Sequence, residues 1–201
     1  MSVVLGVAIL AAGKGRRFGG NKLLATLGSG QCLLDHTLTQ CSPLSAVPVV
    51  VVSGAYHDAL SKHPFSTEIS LVHNTHWQQG MSGSIALAVK HMQRQHPEVT
   101  HLLITLGDLP LVTTTSLRSL WDVAKTEPAT IIASFWEGKA TAPAIFPKQY
   151  WPVLAQLSGD QGAGMLLREG MAQSPPACIP VPHGEASVDI DTQQNLAALS
   201  S

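Results

Sequence analysis

Apolar residues follow one another along this chain in two rhythms. Apolar runs at Val3–Leu10 and Val47–Val52, and β-rich stretches at Glu68–Val72, His101–Leu106 and Thr130–Phe135, have the length of buried strands. Between them come stretches of helical periodicity. One covers Leu33–Gln40. Another covers Ser82–Gln95, where Ile85, Val89 and Met92 recur on one face and Ser82 stands as the N-cap. The Thr113–Thr115 cluster predicts a capped helix running to about Lys125. Pro143–Phe146 reads as a short strand, antiparallel because so little chain separates it from the run before. Helices over Gln149–Leu157 and Gly162–Glu169, a proline-rich loop at Pro175–Pro182, a strand at Val188–Ile190 and a helix at Gln193–Leu199 complete the pattern.

Strands alternating with helices predict an α/β fold with a mostly parallel sheet. No internal repeat, low-complexity tract or long linker divides the chain, so one domain over residues 1–201 is expected. Ligands of such sheets bind beyond the C-terminal ends of the strands. The glycine-rich and polar segments fall at those ends: Gly13–Lys22, Asn74–Ser84, Gly107–Asp108 and Asp189–Asp191.

Composition narrows the partners. With 201 residues and 45% hydrophobic content the chain can bury a sizeable core. Lys and Arg number 12 against 13 Asp and Glu, a net charge of −1, which argues against nucleic acid or an anionic membrane as a partner. The apolar start is too short to span a bilayer, and its basic residues follow it, the reverse of a secretory signal. A cytoplasmic protein is expected. Cys32, Cys41 and Cys178 match no metal or redox spacing and read as reduced thiols. His57, His63, His91, His96 and His101 likewise show no ligand spacing.

The segment from Leu10 to Lys22 leaves a strand and turns on Gly13, Gly15, Gly19 and Gly20, with Arg16, Arg17 and Lys22 adding positive charge. Glycines let backbone amides approach an anion closely, and a triphosphate would answer both features. The segment is not a P-loop, because Leu23 stands after Lys22 where Ser or Thr is needed. Nor is it a dinucleotide fingerprint, because Phe18 occupies the third glycine position.

Leu10-Ala11-Ala12-Gly13, then Arg17-Phe18-Gly19, then Lys22 resembles the opening loop of nucleotidyltransferases of the sugar-nucleotide and molybdenum-cofactor type. The likeness continues through most of the chain. Asn74, Trp77 and Gly80-Met81-Ser82-Gly83-Ser84 are similar to a segment that borders base and ribose in molybdenum cofactor cytidylyltransferase-like proteins. Gly107-Asp108-Leu109-Pro110 resembles the family's metal-binding turn, and Asp189-Ile190-Asp191-Thr192 its second acidic segment. Ser158–Leu167 and Thr141–Phe146 look like the acceptor side. Gly164 stands there in place of a usual Arg, and Thr141-Ala142 in place of Gly-His.

The resemblance implies a Rossmann-like, three-layer, GT-A-like nucleotidyltransferase fold. It assigns nucleotide binding to Leu10, Ala11, Ala12, Gly13, Lys22, Asn74, Gly80, Met81, Ser82, Ser84 and Asp108. Arg17, Lys22 and Asp108 would be catalytic. Asp108 and Asp191 would hold Mg²⁺, with Mn²⁺ able to substitute and Asp189 as the alternative second carboxylate. Transfer of a cytidylyl group from CTP to a phosphorylated pterin, the molybdenum-molybdopterin cofactor, is the implied reaction, with a molybdoenzyme as receiver. A guanylyltransferase, a transferase for another phosphorylated acceptor and a non-catalytic nucleotide-binding chaperone are the competing expectations.

Overall fold

The computed structural model describes residues 3–160 and 162–199; Gln161 of the Ser158–Leu167 segment lies outside them. Seven strands form one sheet: β1 (Leu5–Ala11), β2 (Val49–Ser53), β3 (Ile69–His73), β4 (His101–Leu106), β5 (Ile131–Trp136), β6 (Lys139–Pro147) and β7 (Cys178–Pro182). Their order is β3-β2-β1-β4-β6-β5-β7. All pairings are parallel except those of β6, which runs antiparallel to both β4 and β5. The sheet is therefore mostly parallel with one reversed strand, the Rossmann-like arrangement expected.

Side-chain alternation along β1 shows how the layers are built. Val7, Ile9 and Ala11 enter one core, packed with Leu33, Leu34 and Leu38 of α1 (Leu33–Cys41) and Leu117 and Leu120 of α4 (Thr114–Thr126). Ala8 and Leu10 enter the other, with Ile85, Val89 and Met92 of α3 (Met81–Gln95). Both faces are covered, so the central strands read as continuous apolar runs rather than alternating ones. Trp151, fully buried at the start of the four-residue helix α5 (Trp151–Leu154), donates its indole N–H to the Phe146 carbonyl at 3.0 Å. The shorter helices α2 (His57–Ser61), α6 (Gly164–Ala172) and α7 (Gln193–Ala198) complete the flanking layers. No described helix is long and apolar enough to cross a membrane.

Four local expectations change. Ser82 does not cap α3: the N-cap is Gly80, and the Ser82 side chain is buried inside the first turn. The proline-rich stretch Pro175–Pro182 contains a strand, β7, which pairs in parallel with β5. Its prolines are tolerated because β7 is an edge strand with one neighbour. Val188–Ile190 is not a strand; it runs as irregular chain after a helical turn at Gly184–Ser187. The helix expected over Gln149–Leu157 reduces to a turn at Lys148–Tyr150 followed by α5, with proline at its second position. The cap foreseen for α4 is present, with Thr113 and Ser116 bonding each other's backbone amides in a capping box.

Candidate nucleotide site

At the C-terminal ends of β1 and β4 lies a cavity of about 480 Å³, within the usual span for small-ligand sites. One wall is the glycine-rich loop, from Leu10 through Arg17. Gly15 has φ +58, and its carbonyl accepts the N–H groups of Phe18 and Gly19, both at 3.1 Å. This pair of hydrogen bonds curls the loop, and Lys22 after it lines the cavity floor. Lys22 begins a short helical turn, Lys22–Leu24, anchored by the buried Leu23.

The facing wall is the start of α3. Gly80, Met81 and Ser84 line the cavity, together with Trp77 and Gln78. Among the described residues no side chain caps this helix; the Gly159 carbonyl accepts the Ser82 N–H at 3.3 Å, and the positive dipole end lies at the cavity. Gly80 adopts φ +105 with ψ 179, a conformation open essentially to glycine. A β-carbon there would collide with Asp160 Oδ1 and stand 2.6 Å from the Gly159 carbonyl oxygen. Asn74 and Ser82 do not line the cavity. Asn74 is buried behind it, donating to Ser84 Oγ at 2.9 Å and accepting from the His76 N–H at 3.0 Å. The Ser82 hydroxyl is enclosed without a hydrogen-bond partner among the described residues.

The floor is charged. Asp108 follows β4 in a turn whose Gly107 carbonyl accepts from the Thr37 hydroxyl of α1 at 3.2 Å. Asp191 arrives from the other end of the chain. It is positioned by a backbone bond from Ile190 N–H to the Asp108 carbonyl, 3.1 Å, and by the capping box of Thr192 and Asn195 at the start of α7. The Lys22 ammonium lies 2.6 Å from Asp108 Oδ2 and 3.3 Å from Asp191 Oδ1. The Arg17 guanidinium lies 2.7 Å from Asp191 Oδ2.

Lys22 and Asp108 have side chains only 16% and 17% exposed, so their pairing is sheltered; the Arg17 side chain is 78% exposed, and its pair contributes little to stability. Burial would lower the Lys22 pKa, but Asp108 first and Asp191 second outweigh it and hold it above the ordinary lysine value. Desolvation would raise the Asp191 carboxyl, but hydrogen bonds from Lys22 and Arg17 bring it below the ordinary carboxylate value. Asp189 differs. It does not line the cavity, and its pKa is raised by desolvation and by the charges of Asp191 and Asp108.

Asp108, Asp191, Lys22 and Arg17 are thus together, as are Leu10, Ala11, Ala12, Gly13, Gly80, Met81 and Ser84. The cations meet carboxylates, where the sequence reading set them on phosphates. Asp108 Oδ1 is buried without a hydrogen-bond partner among the described residues. An orphaned hard oxygen beside a second carboxylate suits a divalent cation. Asp160 belongs to the same wall and was not among the expected site residues. Its Gly159-Asp160 turn was visible, but nothing in the spacing brought it against Gly80.

A second, apolar cavity of about 230 Å³ adjoins the first, sharing Leu10, Met81, Leu106 and Asp160. Ile85, Ile104, Phe146 and Leu167 are among its lining, as are Thr141, Ala142 and Gly164. Asp160 is the one charged residue among its described lining.

The sequence profile described as the MobA-like NTP transferase domain matches residues 7–175. The bifunctional protein GlmU of Francisella philomiragia is 30% identical over 131 residues, covering 64% of this chain and 28% of that protein. The chain thus spans about a quarter of the length of the curated relatives it matches. Among solved structures, Rv0371c from Mycobacterium tuberculosis superposes with a TM-score of 0.76 at 24% identity, over 99% of this chain and 98% of that one. A complex of Rv0371c with manganese aligns at 0.70 and 23%, over 98% of each chain. The molybdopterin-guanine dinucleotide biosynthesis protein A of Archaeoglobus fulgidus aligns at 0.67 and 17%, over 97% of this chain and 96% of that one.

Proposed function

This chain belongs to the MobA-like NTP transferase domain family, and from that premise we propose that it transfers a cytidylyl group from CTP to the phosphate of a molybdopterin-type acceptor. An acceptor phosphate oxygen attacks the α-phosphorus, the bond to the β-phosphate oxygen breaks, and pyrophosphate departs. The attacking oxygen is already an anion, so no general base is required. The obstacle is the meeting of two negatively charged phosphates.

The observation that carries the reading is the floor of the larger cavity, where Lys22 and Arg17 stand against Asp108 and Asp191 beneath a glycine-rich loop. Asp108 and Asp191 would hold Mg²⁺, or Mn²⁺ in its place, and the complex of Rv0371c with manganese supports a divalent-metal requirement. When bound, the cation supplies charge neutralisation and alignment of the phosphates. Lys22 and Arg17 exchange their carboxylate partners for the departing pyrophosphate and stabilise its charge. The loop and the N-terminus of α3 hold the triphosphate and ribose in place, which lowers the entropic part of the barrier.

The preference for CTP rests on Ala12, largely buried in the cavity wall, whose methyl group takes room a larger purine would use. The pterin acceptor rests on the adjoining apolar cavity, whose Phe146 and Leu167 walls suit a flat ring system. Pyrophosphate release measured with each nucleoside triphosphate, Mg²⁺ or Mn²⁺, and molybdopterin tests the proposal. CTP should support the highest kcat/KM. Faster release with GTP would reassign the nucleotide, and binding without release would make the protein a nucleotide-binding chaperone.

A further inference from the structure

Away from the cavity, three side chains with no evident ligand spacing in the sequence converge. Cys32 is the N-cap of α1, Asp35 lies in that helix's first turn, and His63 follows α2. His63 Nε2 lies 2.8 Å from Asp35 Oδ2 and 3.7 Å from Cys32 Sγ, and Sγ lies 3.2 Å from the same carboxylate oxygen. A nucleophile–base–acid relay would use the two imidazole nitrogens for different partners. Here one nitrogen meets both, so the three donor atoms face a common point.

We propose that Cys32, Asp35 and His63 bind a zinc ion, with water as the fourth ligand. Thiolate, imidazole and carboxylate together form a donor set that Zn²⁺ accepts. Around a tetrahedral zinc with bonds of about 2.0–2.3 Å, neighbouring ligand atoms stand about 3.3–3.7 Å apart. The observed triangle, 2.8, 3.2 and 3.7 Å, needs its two shorter edges to open, the shortest by about half an ångström. Asp35 Oδ1 is buried with no hydrogen-bond partner among the described residues, leaving a second carboxylate oxygen free for the ion.

The His63 ring is steadied edge-on against Phe65, with centroids 4.7 Å apart. His63 and Asp35 keep side-chain exposures of 19% and 16%, so an ion can reach the site from solvent. On binding, the Cys32 thiol gives its proton to solvent and its sulfur lone pair to the metal. The ion would pin the start of α1 to the chain beyond α2. The same helix carries Thr37, which holds the Gly107 carbonyl beside Asp108, so zinc would brace the frame of the nucleotide site without entering it.

Cobalt substitution of the full chain, stripped of metal and held in excess Mg²⁺ to occupy the cavity carboxylates, provides the test. Co²⁺ should produce a near-ultraviolet thiolate charge-transfer band that Zn²⁺ displaces, with one ion bound per chain. Cys32→Ser should lose the band, and His63→Gln should weaken zinc binding about 100-fold or more. Zinc should raise the melting temperature of the wild type and leave that of both variants unchanged. No band in the wild type, a band surviving in Cys32→Ser, or undiminished zinc affinity in His63→Gln overturns the proposal. Should Cys32→Ser fail to fold, the partly exposed His63→Gln decides alone.

Discussion

The ammonium of Lys22 stands 2.6 Å from Asp108 Oδ2, joining the glycine-rich loop after β1 to the turn after β4 in a sheltered ion pair. The carboxylate helps to hold the Lys22 ammonium protonated. Each is also a competitor for what the other is proposed to bind, since a metal must take carboxylate oxygens from Lys22, and a phosphate must take Lys22 from the carboxylates.

Asp108→Ala should leave a folded protein and remove several kcal/mol of transition-state stabilisation, about a thousandfold or more in kcat/KM. Asp191→Asn should act in the same direction, and Asp189→Asn much less, because Asp189 does not line the cavity. Steady-state pyrophosphate release from the purified variants, with circular dichroism as the folding control, checks the ranking. A more damaging Asp189→Asn would transfer the metal role to that residue.

Lys22→Met separates the two competitions. Without the ammonium, Asp108 and Asp191 should bind Mn²⁺ more tightly in the absence of nucleotide, while turnover of the triphosphate falls. Calorimetric titration with Mn²⁺ and a parallel rate measurement read both effects. Weaker Mn²⁺ binding in the variant would mean that Lys22 organises the carboxylates rather than competing for them.

Gly80→Ala should destabilise the fold by roughly 1–3 kcal/mol from backbone strain alone, with the contacts to Gly159 and Asp160 adding to it. Gly164→Ala, where a β-carbon meets nothing within 4 Å among the described residues, serves as the control and should melt close to the wild type. Equal melting temperatures for wild type and Gly80→Ala would show that the Gly159–Asp160 turn yields easily.

Acid should weaken the fold through two buried imidazoles. Desolvation lowers the pKa of His101 despite its hydrogen bond to the Pro128 carbonyl, and lowers that of His183 despite the charge of Glu185. A histidine whose folded pKa is depressed binds fewer protons in the native state. Its stabilising contribution is therefore full above the unfolded value, about 6.5, and declines as pH falls below it toward the folded pKa. Urea unfolding at several pH values should show that decline, and His183→Gln should flatten it. A pH-independent midpoint across this window would contradict the assignment.

Gly164→Arg introduces a cation into the lining of the apolar cavity. Binding of an anionic pterin acceptor should strengthen by about 1–3 kcal/mol, as for a charge-assisted hydrogen bond. The KM for CTP should hardly move, because residue 164 does not line the nucleotide cavity. Acceptor affinity left unaltered while CTP affinity shifts would place the acceptor elsewhere.

Much of this architecture is legible in the order of residues. Runs such as Val49–Val52 sit between two helical layers, and burial on both faces leaves an uninterrupted apolar signal. The Gly107-Asp108 turn and the Leu10–Lys22 loop are legible because short-range geometry demands their glycines and turn formers. Where long-range context decides, local reading misleads. Pro180 and Pro182 look like loop residues until β5 is known to lie on one side and, among the described residues, no strand on the other. Ser82 has the chemistry of a cap, but Gly80 takes the non-helical backbone angles and Ser82 is carried into the first turn. The strand expected at Val188–Ile190 could not choose between Asp189 and Asp191; the chain there is irregular, and of the two Asp191 lines the cavity. The Cys32–His63 approach spans 31 positions and follows no periodicity.

The backbone bond from Ile190 N–H to the Asp108 carbonyl has a consequence in time as well as space. During translation, β1 to β4 can assemble with Lys22 already against Asp108 while the segment carrying Asp191 is still inside the ribosome. Until that segment emerges and docks, the pocket has one carboxylate and a lysine that neutralises it, a poor trap for divalent ions. The proposed metal pair would therefore be complete only when the Asp191 segment docks on the strands made before it.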